Sequence, residues 1–183
     1  MTVMQLWIEQ DIVIKILSIA FVSLSVLVIE KFIHYFALRS QLKRGLEEIS
    51  LKPIRNIVDS VTAFDAASPL FRLHIESELE RFELYATRFL QLIALIAILS
   101  PMLGLIGTFF GLWHVFAGVG SFGLNEPSVI ARGIKEVLID TMAGLIVAIY
   151  ATVFYRLFNT LAIKLTLDFE KALYRYLEQR RAT

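Results

Sequence analysis

Three stretches of the chain read as continuous apolar helices, and the charged residues collect between them. Ile12 to Ile29 is apolar except for Lys15, whose long stem can carry its ammonium to a nearby interface. Phe89 to Asn125 holds no Asp, Glu, Lys or Arg across 37 residues. That is more than one crossing requires, so a span from 89 to 115 and an apolar connection from 116 to 133 are predicted. Ile134 to Phe158 forms a third run, charge-free from Thr141 to Tyr155. Fifteen helical residues cover only about 22 Å of a hydrocarbon core of about 30 Å. A full crossing therefore draws Asp140, with Glu136 behind it, toward membrane depth.

Between the first two spans the pattern changes to an amphipathic one. In "FRLHIESELERFELYATRFLQLIALIAIL" the apolar residues Phe71, Ile75, Leu79, Phe82 and Phe89 recur at helical intervals with charges between them. No breaker occurs between Pro69 and Pro101, so this helix is expected to run straight into the second span. Pro53 and "AASP" at Ala66 to Pro69 mark breaks between shorter helices. After the third span, Leu161, Leu165, Phe169, Leu173 and Leu177 continue the helical spacing. The fold class expected is all-α and integral to a membrane: three transmembrane helices with long cytoplasmic helical extensions. The segments are an N-terminal stretch 1–11, a span 12–29, a cytoplasmic helical segment 30–88, a span 89–115, a connection 116–133, a span 134–158 and a C-terminal helix 159–183.

Composition agrees with a membrane class: 57% of the 183 residues are hydrophobic and the mean hydropathy is +0.67. The net charge of +1 gives no reason to expect nucleic acid, and the absence of cysteine excludes disulfide, thiol redox and thiolate–metal chemistry. His34, His74 and His114 are far apart and have no ligand-like neighbours, so no metal is expected. With no Lys or Arg before Lys15, the first run is expected to be an uncleaved span. Residues 30–88 carry nine Lys and Arg, and the tail from Arg156 carries six; the first eleven residues carry none. By the positive-inside rule the N-terminus is expected to lie outside and the long middle segment and the C-terminus in the cytoplasm, in a multi-pass membrane protein.

Small residues mark two helical faces. Gly104, Gly107, Gly111 and Gly118 fall near one stripe of the second span, with Thr108 beside it and Pro101 at its start. Such glycines allow close helix approach in lipid, and the proline should bend the helix. On the third span Glu136, Asp140, Gly144 and Ala148 share a face, with Thr141 next to Asp140. A carboxylate in a bilayer is costly unless paired, protonated or facing water, which makes a functional role the default. The alternative is that Glu136 and Asp140 lie at headgroup level and pair with Lys135 or Arg132. Thr108 can either line a polar path or satisfy itself on its own helix. No phosphate loop, zinc motif, nucleophile elbow or dinucleotide fingerprint is present, so no enzyme activity, catalytic residue or cofactor is expected.

Two of these stretches resemble the ExbB/TolQ/MotA proton-channel family. "SPMLGLIGTFFGLWHVF" resembles its second-span signature, a small residue and Pro before G-L-x-G-T-x-x-G. "ARGIKEVLIDTMAGLIVAIYATVFYRLF" resembles its third-span pattern. The resemblance implies a pentameric ring around two copies of a single-span TolR- or ExbD-type partner that carries a transmembrane Asp. A TolA- or TonB-type protein then acts on the outer membrane. It implies that Thr108 and Thr141 face the pore and that Glu136 is the acidic head of the third span. Asp140 and Tyr150 depart from the pattern; Asp140 stands open as a proton relay or as a modifier of the pore mouth. "GLWHVF" resembles TolQ more than ExbB, which implies a Tol-Pal role in outer-membrane integrity and cell division. The alternatives are ExbB-type energising of TonB-dependent uptake and a structural scaffold that conducts no ions.

Overall fold

The computed structural model describes residues 12–44, 46, 51–65, 68–122 and 127–181; the side chains at 43, 44, 118–122, 127, 129, 132, 136 and 181 are outside the description. Among these residues every regular element of length is an α-helix: α1 (Ile12–Arg44), α2 (Lys52–Ala63), α3 (Phe71–Thr87), α4 (Leu90–Phe122) and α5 (Pro127–Arg181). Three stretches are long and apolar enough to cross a membrane: Ile12–Leu42 in α1, Leu90–Ala117 in α4 and Gly133–Arg180 in α5. The protein is all-α and crosses the membrane more than once. Helices suit this setting because each satisfies its backbone donors and acceptors internally, where no water is present to do so.

The chain divides into two compact units. In one, α1 up to Leu27 joins Leu92–Tyr155 of α4 and α5. Its buried residues include Leu17 and Leu24 of α1, Ile93 and Ser100 of α4, and Val147 and Ala151 of α5. Leu105, Trp113 and Ile149 stand about two-thirds exposed, an outward apolar surface suited to lipid or to neighbouring helices rather than water.

The second unit contains Val28–Gln91 and α5 from Arg156. Pro53 sits in the first turn of α2, where its missing N–H costs nothing. Ile54, Ile57, Val58 and Val61 form the buried face of α2. The helices α2 and α3 pair antiparallel: Phe64 stacks on His74 at 4.4 Å, and Ser60 reaches both His74 and Glu78. Phe82 of α3 and Phe169 of α5, both fully buried, stack with ring centroids 4.1 Å apart. The buried stripe on α5 is Phe158, Ala162, Leu165, Phe169 and Leu173. Leu161 and Leu177 are only half-buried, because a row spaced strictly by four drifts around a helix of 3.6 residues per turn.

Two expectations need correction. The amphipathic helix does not run unbroken into the second span: α3 ends at Thr87, and α4 begins at Leu90. Between them Phe89 has a φ of 67°, a left-handed conformation that side chains disfavour. Interactions from elsewhere in this unit support the break. The Lys31 ammonium donates to the Ala86 carbonyl at 3.3 Å, and the Arg88 guanidinium stacks 4.7 Å above the Phe89 ring. The face of α3 also differs: Ile75, Glu78, Phe82 and Ala86 are buried, while Leu79 is half-buried and Phe89 exposed. Glu78 tolerates burial because its carboxylate accepts from Ser60 Oγ at 3.0 Å and from Arg81 at 2.8 and 3.0 Å.

Candidate functional site

The small-residue faces of α4 and α5 meet backbone to backbone. A methyl group placed on Gly144 would lie 2.6 Å from the Ser100 carbonyl oxygen and 3.0 Å from the Gly104 Cα. One placed on Gly104 would lie 3.0 Å from the Asp140 carbonyl oxygen and 3.3 Å from the Thr141 Cα. At Gly111 it would touch Val137 Cγ2 at 2.5 Å. Without side chains at these positions the helices come within contact distance of each other's main chains, and dispersion over many atom pairs replaces the hydrophobic effect that lipid cannot supply. Pro101 lies inside α4 without interrupting it. Neighbouring Ser100 is buried and donates through Oγ to the Ile96 carbonyl at 2.6 Å.

The polar residues sit along this seam. Asp140 is 1% exposed, with its carboxylate lying against Gly107. Thr141 follows it on α5, half-buried, and its hydroxyl donates to the Val137 carbonyl at 3.1 Å. Thr108 follows Gly107 on α4, also half-buried, and donates to the Leu105 carbonyl at 2.6 Å. Each threonine spends its one proton on its own helix and keeps its oxygen lone pairs as acceptors. Neither hydroxyl brings a formal charge, so a water chain meeting them would find acceptors without a fixed ion.

The seam thus gathers Gly104, Gly107, Gly111, Asp140, Thr141 and Gly144, with Thr108 beside it. The surroundings of Gly118 and the side chains of Glu136 and Arg132 lie outside the described residues. Tyr150 packs on Phe21 of α1 at 5.1 Å and on Phe154 at 4.8 Å, within the apolar part of the same unit. His114 is exposed. Among the described residues no group of three His, Cys, Asp or Glu could hold a metal ion.

The sequence model of the MotA/TolQ/ExbB proton channel family matches residues 38–171, which contain the whole seam. The chain belongs to this family. Its glycine–threonine seam therefore lies within the part the family shares. An ExbB-like biopolymer transport protein of Synechocystis, number 3 of its series, is 34% identical over 115 residues, 61% of this chain and 55% of its own length. Biopolymer transport protein exbB1 of Vibrio cholerae is 43% identical over 63 residues, 34% of this chain and 28% of its own. Biopolymer transport protein ExbB of Salmonella typhimurium is 39% identical over 66 residues, 36% of this chain and 27% of its own. The chain thus spans about half the length of the first of these relatives and little more than a quarter of the other two.

What sequence reasoning missed is the inward course of Asp140. Periodicity placed it on a face with Glu136 and Gly144, but a period cannot say which helix that face meets. The signal was Gly107: among apolar neighbours, a glycine on the opposing span leaves room for a carboxylate.

Proposed function

We propose that this protein is the channel subunit of an inner-membrane complex that uses the proton motive force to drive a single-span partner, in the manner of ExbB energising TonB-dependent uptake across the outer membrane. The relatives carrying the ExbB name favour this over the Tol-Pal role that "GLWHVF" suggests. Five copies form a ring around the membrane helices of an ExbD- or TolR-type partner, whose aspartate exchanges protons in the pore. The N-terminus is periplasmic and the C-terminus cytoplasmic.

The observation that carries this reading is the pair of half-buried threonines beside the glycine seam, with their protons committed to their own helices. Such hydroxyl oxygens can hold water next to a titrating carboxylate of the partner without trapping a proton as a charged group would. Glu136 stands at the mouth of the path. Asp140, inside the seam beside Thr141, relays protons between that mouth and the threonine level. A membrane potential supplies about 2.3 kcal/mol per charge per 100 mV, so a few protons suffice for a conformational step.

The test uses Thr108→Val and Thr141→Val, which keep shape and remove the acceptor oxygen. Each variant is expected to abolish growth on iron chelates and proton flux in vesicles containing the partner, while native mass spectrometry finds the five-to-two complex unchanged. Full transport by both variants would leave a scaffold without conduction. Normal chelate uptake combined with detergent sensitivity in a deletion strain would return the Tol-Pal role.

A further inference from the structure

The break between α3 and α4 borders a second polar feature. A cavity of about 180 Å³ is lined by Glu30, Lys31, His34, Tyr85, Arg88 and Phe89, all within one unit. Lys31 is only 7% exposed, an unusual position for an ammonium. One of its three donors goes to the Ala86 carbonyl, and the other two remain for further acceptors. The Arg88 guanidinium lies 4.7 Å above the Phe89 ring, and the Lys31 ammonium is 6.0 Å from the same ring centre. Such a cation–π contact needs none of the guanidinium's N–H donors, the groups that grip an oxyanion. His34 meets Tyr85 edge-on at 4.9 Å and adds two more potential donors, the imidazole N–H and the phenol. Against these stands one carboxylate, the exposed Glu30.

Phe89, whose ring lies near both cations, has a left-handed backbone, and such strained residues cluster at ligand clamps. Position along the chain supplies the rest. The uncharged part of the first apolar run ends at Ile29 and the second run begins at Phe89, so Lys31 and Arg88 flank the two runs in sequence, Lys31 within the longer stretch Ile12–Leu42. Cations that flank the apolar runs of two spans are the recognition chemistry of an anionic phospholipid headgroup.

We propose that this cavity binds a phosphate group, supplied by an anionic phospholipid. The Arg88 guanidinium and the two remaining Lys31 donors hold the phosphate oxygens, and Tyr85 and His34 donate from the side. The bound lipid then neutralises the cations around the strained turn. This proposal stands apart from the proton path and survives the loss of that reading.

The full chain, purified with its partner, is washed in phosphatidylcholine micelles. It is then exposed to phosphatidylglycerol, to further phosphatidylcholine or to inorganic phosphate, with retained lipid and melting temperature as readouts. The wild type should retain phosphatidylglycerol and melt higher with it, and should respond to neither control. Lys31→Gln with Arg88→Gln should lower retention about tenfold, the effect of losing a charge-assisted contact. Lys31→Arg should keep it. If the double variant does not purify, Arg88→Gln alone, at the exposed rim, carries the test. Equal retention by wild type and variants overturns the site, and stabilisation by inorganic phosphate equal to that by phosphatidylglycerol overturns the lipid source.

Discussion

Gly107 and Asp140 face each other across the α4–α5 seam so closely that a methyl group on Gly107 would fall on the Asp140 carboxylate. The two residues belong to different spans, and each explains the other. Gly107 makes room for a carboxylate, and Asp140 occupies the space that a Cβ would otherwise take.

Gly107→Ala therefore overpacks the seam, at a cost of about 1–3 kcal/mol. In an Asp140→Ala background the same change should cost much less, because the atom it strikes is gone. Reversible unfolding of the four proteins in detergent gives the coupling energy directly. Strict additivity would mean that the carboxylate does not lie against Gly107.

The seam glycines should differ in a definite order. At Gly144 the obstructing atom is the Ser100 carbonyl oxygen, main chain that cannot move without displacing α4. At Gly111 it is a methyl of Val137, a side chain that can turn aside. Gly144→Ala should lower the melting temperature more than Gly111→Ala, and the reverse order would contradict the backbone contact at Gly144.

Phe89 adopts a φ of 67° without being glycine. Phe89→Gly and Phe89→Ala both lose the ring beneath Arg88, so their difference isolates the backbone. The glycine variant should be the more stable by about 1 kcal/mol, since only it is free of the Cβ penalty in the left-handed region. Equal melting temperatures would indicate an unstrained turn.

Glu78 is buried, and Glu80, two residues on, is exposed. Glu78→Ala removes the acceptor of Ser60, which keeps its contact with His74, and releases Arg81, for a cost of about 1–3 kcal/mol. Glu80→Ala should fall within about 0.5 kcal/mol of wild type, as surface changes do. Denaturant unfolding of the full chain, followed by the loss of helical circular dichroism, compares the two.

The helical pattern of Phe71, Ile75 and Phe82 showed that α3 would be amphipathic, and Ile75 and Phe82 are buried as periodicity requires. The same pattern gave no sign of Glu78, because its burial depends on a serine from α2 and an arginine one turn along. Nor did it show the break after Thr87. No proline or glycine stands there; the Arg88 N–H turns back to the Tyr85 carbonyl, and Lys31, a residue from more than fifty positions earlier, takes up the Ala86 carbonyl that the broken helix leaves.

The sequence by itself determined three spans, their small-residue faces and the family, since the cost of placing a charge in hydrocarbon is set residue by residue and needs no knowledge of neighbours. The partners of those faces were decided only when the helices packed. Whether Gly144 meets a carbonyl, whether Asp140 points inward and where α3 stops all depend on atoms brought from distant parts of the chain. Contacts of that kind leave no local period to read.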